Sequence, residues 1–166
     1  MAGLNDDEAA RRWAYLAEGN AKQARKRVSA KIVVRNEAGE VLLVNPNYKE
    51  YWDLPGGMAE ANESPRAAVE RELREELGVN VTVGRLLTLD WVDAHGPWDD
   101  QLVFVFEATT LSASEAERLI VADDELTGFA FLPPADAIGR LRDDVGDRLI
   151  RALRMLDAGG FDYTDE

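Results

Sequence analysis

The chain of 166 residues contains no cysteine. That removes disulfides, thiolate metal sites and a cysteine nucleophile from consideration. It contains one histidine, His95. No apolar run approaches the roughly 18 residues of a membrane span. The first twenty residues place acids where a secretory leader carries basic residues, and no apolar stretch follows them. A soluble, cytoplasmic protein without a membrane partner is predicted. Basic residues are scarce, 19 against 32 acidic ones, for a net charge of -13. A surface this negative repels a phosphate backbone, which argues against a nucleic-acid partner. A small phosphate compound is still compatible, because cations held by clustered carboxylates reverse the local sign.

The chain length suits one domain with a hydrophobic core. Hydrophobic residues at 46% and charged residues at 31% are ordinary globular values. No internal repeat or low-complexity linker interrupts the chain. Residues 6–27 read as a helix, with Asn5, Asp6 and Asp7 as N-cap candidates and a basic run, Lys22, Arg25, Lys26 and Arg27, at its end. From Val28 to Val44 two β-branched runs flank Asn36-Glu37-Ala38-Gly39, which predicts a hairpin. Ser64 as cap, Pro65 at the first turn and Gly78 at the far end predict a helix over 64–77. Strands are predicted near 79–92, 102–109 and 126–132, then one or two helices after Pro133-Pro134 to about Leu156. Gly159-Gly160 is read as the start of a tail. This order predicts an α+β fold with helices on both sides of a mixed sheet.

On an ideal helix, Glu72, Glu75 and Glu76 fall within an arc of roughly 100°, beside an apolar stripe of Val69, Leu73 and Leu77. Arg66, Glu70 and Arg74 are left for solvent. Carboxylates at i, i+3 and i+4 repel one another. Such clusters are also what a hard dication needs: oxygen ligands completed by water and substrate phosphate. Taken alone, Glu-x-x-Glu-Glu is also common on solvated helix faces.

The preceding loop adds information. The run Gly57-x5-Glu63-x7-Arg71-Glu72-Leu73-x-Glu75-Glu76-x-Gly78-Val79, led in by Trp52-Asp53-Leu54-Pro55-Gly56-Gly57, resembles without departure the defining motif of the Nudix hydrolases. The resemblance implies a Nudix-type α/β/α sandwich over 28–158, with an N-terminal helical extension over 1–27 and a tail over 159–166. It implies Mg²⁺- or Mn²⁺-dependent hydrolysis of a diphosphate bond in a small nucleotide-like substrate: ADP-ribose, a nucleotide sugar or a nucleoside triphosphate. Glu72, Glu75 and Glu76 match the family's metal-binding glutamates, and the carbonyl of Gly56 matches a backbone ligand. Glu63 and Arg71 match a pair that holds loop against helix, and Gly57 and Gly78 complete the structural motif. The general base is expected on Glu75 or Glu76, or on Glu125 in the acidic triplet Asp123-Asp124-Glu125, where it would also serve as a metal ligand. Trp52, Asp53, Trp91, His95 and Arg27 are candidates for holding substrate, with Trp98 a further stacking candidate. A homodimer built through the N-terminal helix is a further expectation, and a catalytically weak Nudix domain acting as a nucleotide-ligand sensor or interaction module is the alternative carried alongside.

Overall fold

The computed structural model describes residues 5–165, so the outermost ends of the two terminal segments, 1–4 and 166, lie outside the described residues. The first helix, α1 (Asp6–Ala21), starts on a capping box. Asn5 accepts from the Glu8 amide at 2.9 Å, and the Glu8 carboxylate accepts from the Asn5 amide at 3.2 Å. None of its residues is buried. The helix is shorter than the sequence suggested. Arg27 already pairs with Gln101 in a strand, so the chain must straighten after Ala21 to reach its neighbour.

Strand β1 (Arg27–Val33) lies parallel to β5 (Gln101–Ala108) and antiparallel to β3 (Gly56–Met58). Strand β4 (Val83–Val92) pairs antiparallel with β5 and parallel with β7 (Asp162–Thr164). The mixed sheet therefore runs β3-β1-β5-β4-β7, and β2 (Val41–Pro46) pairs separately with β6 (Leu126–Leu132). The expected hairpin is thus a correction in part. Its turn forms, with the Gly39 amide on the Asn36 carbonyl at 2.9 Å and Gly39 at φ 78°, but its two strands go to different sheets.

Strand alternation splits the interior in two. Ala30, Ile32, Val34 and Phe106 belong to one core, closed by α2 (Pro65–Leu77) through Val69, Leu73 and Leu77. Val33, Val105 and Leu87 belong to the other, closed by α4 (Pro134–Ile138) and α5 (Asp143–Ala158) through Ala137, Leu149 and Ala152. Each fully buried Leu or Val side chain contributes about 1.5–3 kcal/mol over leaving it in water. A short helix, α3 (Ala113–Ala116), completes the elements.

The C-terminal segment is not a tail. Gly159 turns α5 back at φ 77°, and β7 then adds to the edge of β4. Arg85 fixes the return by donating to the carbonyls of Gly160 and Met155, both at 2.8 Å, and Arg151 reaches Asp162 at 3.0 Å. Arg85 reaches these carbonyls from far away in the sequence, which is why the glycines alone suggested a tail. Among the described residues no helix is long and apolar enough to cross a membrane.

Candidate active site

Helix α2 is the platform. Ser64 Oγ accepts from the Ala67 amide at 3.2 Å, Pro65 begins the first turn, and Gly78 ends the helix in the left-handed conformation at φ 65°. Burial of Ala68, Val69, Leu73 and Leu77 sets the rotation of the helix about its axis. That rotation turns Glu76 inward, 8% exposed, and leaves Glu72 half-buried beside it. The Glu75 side chain is 56% exposed.

Arg71 explains the difference. Its guanidinium holds both Glu63 oxygens at 2.9 and 3.0 Å, the Met58 carbonyl at 3.0 Å, and Glu72 and Glu75 at 3.0 Å each. Loop and helix are thereby tied together, and Glu75 is drawn towards the arginine instead of Glu76. Arg66, expected to face solvent, donates to the carbonyls of Val83 and Gly84 and lies 5.2 Å from the Phe106 ring centre.

Gly56 and Gly57 bring the backbone against these acids. Gly56 has φ 112°, and a Cβ there would sit closer than 3.0 Å to the Ala30 carbonyl. A Cβ on Gly57 would strike the Glu72 carboxylate. The Gly56 amide donates to Glu76 at 3.5 Å, a long contact. Burial, with Glu72 adding to it and Lys31 opposing it, pushes the Glu76 carboxyl up to about 7. Burial likewise raises Glu72, against the pull of Arg71.

A cleft of about 550 Å³ opens in front of these residues. Its basic side chains are Arg27, Lys31, Lys49, Arg142 and Arg148; its acids are Asp53, Glu72, Glu76, Glu125 and Asp144. Asp53 is a hub, accepting from Lys49 at 2.6 Å, from Lys31 at 3.2 Å and from the Leu54 amide at 2.8 Å. Burial would raise its carboxyl, but the two ammonium groups more than offset that and hold it below the usual range. Arg142 is paired with Asp144, and Arg148 with the buried Asp90 at 2.5 Å. At the far wall Arg27 lies 4.8 Å from the Trp98 ring centre, next to His95, whose Nδ1 is 2.9 Å from the Asp93 carbonyl.

Of the residues singled out from sequence, Glu72, Glu76, Gly56, Gly57, Asp53, Arg27, His95 and Glu125 line this one cleft, as does Trp98. Glu63, Arg71 and Gly78 hold its frame. Trp52 and Trp91 stand apart from it. Trp52 packs on the second core with Arg140 5.4 Å from its ring centre, and Trp91 donates to Asp100 at 2.9 Å. Lys31, Tyr48, Lys49, Arg142 and Arg148 also line the cleft, although no local motif marks them. Lys31 carries a visible signal, a lysine inside an apolar strand; the others are brought in by long-range packing.

The donor set suits a hard dication. Among the described residues no three acidic or histidine side chains converge into a cage. Two carboxylates, Glu72 and Glu76, face the cleft with the Gly56 carbonyl. Mg²⁺ characteristically takes one or two carboxylates and completes its shell with water and substrate phosphate. A buried carboxylate as poorly neutralised as Glu76 is what such an ion would relieve.

Residues 25–153 match the family model described as NUDIX domain. A "MutT-like protein" of Streptomyces ambofaciens is 30% identical over 133 residues, covering 79% of this chain and 75% of that protein. An "8-oxo-dGTP diphosphatase" of Proteus vulgaris is 46% identical over 48 residues, 27% of this chain and 43% of that protein. Among solved structures, a "UDP-X diphosphatase" superposes with a TM-score of 0.69 at 18% identity, over 99% of this chain and 77% of that one.

Proposed function

The chain belongs to the Nudix hydrolase family, a family of pyrophosphohydrolases, and from that premise we propose that its cleft cleaves the phosphoanhydride bond of a small nucleotide-like diphosphate. ADP-ribose, a nucleotide sugar and a nucleoside triphosphate are the substrate types put forward. The names of relatives, a diphosphatase of 8-oxo-dGTP and one of UDP compounds, support this range without choosing within it. The observation that carries the reading is the meeting of the half-buried Glu72 and the buried Glu76 with the Gly56 carbonyl and a set of cations, in a protein that is otherwise strongly acidic.

In this proposal Glu72, Glu76 and the Gly56 carbonyl hold Mg²⁺ or Mn²⁺. The bound ion supplies charge neutralisation on the phosphate oxygens and lowers the pKa of water. The chain's own groups do the rest. Lys49 and Arg142, paired with Asp53 and Asp144, line the same cleft and would place positive charge near the diphosphate, and Arg27, His95 and Trp98 would provide a polar and aromatic surface for the remainder of the substrate. Glu125, exposed at the mouth of the same cleft, is proposed to orient or deprotonate the attacking water; Glu76 is the other candidate for that proton. Glu75 acts through Arg71, as part of the clamp on the loop.

The experiment is incubation with Mg²⁺ and a panel of diphosphate compounds, with products identified by ³¹P NMR. Hydrolysis at a phosphoanhydride is expected, and Glu76→Gln should lower kcat by roughly a thousandfold or more while the fold persists. Unimpaired turnover by Glu76→Gln would remove the assignment. Tight binding of a nucleotide with no turnover of any compound would mark a ligand sensor instead. A cytoplasmic location is proposed from the cysteine-free composition. A homodimer is proposed through α1, which exposes Trp13, Tyr15 and Leu16. An antiparallel copy would set its acidic first turn against the basic run after the helix, and light scattering reads the outcome.

A further inference from the structure

The Gly56 carbonyl already has a cationic partner. Lys31 Nζ donates to it at 2.6 Å, to the Leu54 carbonyl at 3.1 Å and to Asp53 at 3.2 Å. The position of its stem is fixed, because Lys31 stands opposite Gly56 in the β1–β3 register. The side chain is only 16% exposed. An ammonium here uses the same carbonyl oxygen, and lies in the same carboxylate field, that a divalent ion would use. Two cations cannot share one carbonyl at that distance without strong repulsion.

Departure of Lys31 takes a donor from the Leu54 carbonyl but does not strand a buried charge. Asp53 keeps Lys49 at 2.6 Å, so its buried carboxylate is not left unpaired when Lys31 moves. The Lys31 stem has four rotatable carbons, and its point charge is well suited to a phosphate oxygen. Both properties fit a group that changes partners.

We propose that Lys31 is a tethered counter-cation, which occupies the Gly56 carbonyl in the free enzyme, is displaced by the divalent ion, and then binds a phosphate oxygen of the substrate. This rests on the metal-dependent diphosphate reading of the cleft. Its consequence is that Lys31 opposes metal binding when substrate is absent and favours substrate binding when metal is present.

The test compares the full-length chain with Lys31→Met and Lys31→Arg. Mn²⁺ affinity without substrate is read by electron paramagnetic resonance of the free ion at about pH 8.5, where carboxylates are ionised. Lys31→Met should bind Mn²⁺ about tenfold more tightly than the parent, whereas its KM at saturating metal should rise about tenfold with kcat little changed. Lys31→Arg, which keeps the charge, should stay near the parent in Mn²⁺ affinity. A residue that merely supports the strand would weaken both kinds of binding together. Equal or weaker Mn²⁺ affinity in a folded Lys31→Met overturns the proposal, as does tighter Mn²⁺ binding with an unchanged KM. Should Lys31→Met not fold, the ¹³Cε resonance of Lys31 in the parent decides: a shift on Mg²⁺ addition supports displacement, and no shift overturns it. Absence of turnover with the Mn²⁺ contrast intact would sink the proposed function and leave the displacement of Lys31 by metal standing. No Mn²⁺ binding in any variant would overturn both.

Discussion

At the scale of single residues the account turns on Glu76. Its folded carboxyl is raised to about 7, whereas in an unfolded chain it titrates near 4.5. The folded state therefore holds the proton more tightly, and metal-free stability falls as pH rises through that interval. Above about pH 7 the ionised group costs on the order of 3 kcal/mol. Glu76→Gln should accordingly melt higher than the parent in EDTA at about pH 8, and show no such advantage below about pH 4.5. Thermal denaturation at the two pH values reads this, and a Glu76→Gln protein less stable at both would contradict the burial argument. Gly57→Ala is expected to push against the Glu72 carboxylate, cutting activity at least tenfold with a loss of about 1–3 kcal/mol. The glutamates and glycines were legible in the sequence because their spacing is local and a helix converts spacing into direction. The outward position of Glu75 was not, because it depends on Arg71 gathering Glu75 together with Glu63, Glu72 and the Met58 carbonyl. Lys49, Arg142 and Arg148 were invisible as cleft residues for a related reason: the cleft they line draws on β1, β3, α2 and α5 together, and Arg148 meets Asp90 only when α5 packs on the sheet.

Among the elements, α1 and β7 make opposite predictions. No residue of α1 is buried, and it is stabilised chiefly by its own capping box. Removing residues 1–22 should shift the melting temperature by less than about 2 °C at low protein concentration. A large drop would show that α1 packs on the body of the protein. Removing residues 160–166 strips an edge strand and deprives Arg85 and Arg151 of acceptors. It should lower the melting temperature by at least about 4 °C. Helix α2 was readable from end to end, since its cap, Pro65 and Gly78 are punctuation written in the chain. Strands β4, β5 and β6 were readable from apolar runs. The end of α1, the three-residue strand β3 and the edge strand β7 were not, because pairing with distant partners, rather than local preference, decides them. The same holds for the parting of β1 and β2 into two sheets across a turn that otherwise forms as its sequence suggests.

For the molecule as a whole, the net charge of -13 coexists with a cleft whose five basic side chains match its five acidic ones. Away from the cleft an anionic substrate is repelled, so its approach is slowed by the overall field and relieved by salt. At fixed saturating Mg²⁺, kcat/KM should rise about two- to threefold between low ionic strength and about 0.15 M; a steep fall would point to a basic docking surface that the composition argues against. The more direct test of the central claim is a crystal soaked in Mn²⁺ with a non-hydrolysable diphosphate analogue, examined by anomalous scattering. The account predicts an ion at about 2.2 Å from oxygens of Glu72, Glu76 and the Gly56 carbonyl, bridged to the analogue's phosphates. An ion held elsewhere, or an analogue seated in the cleft with those three groups uncoordinated, would contradict it.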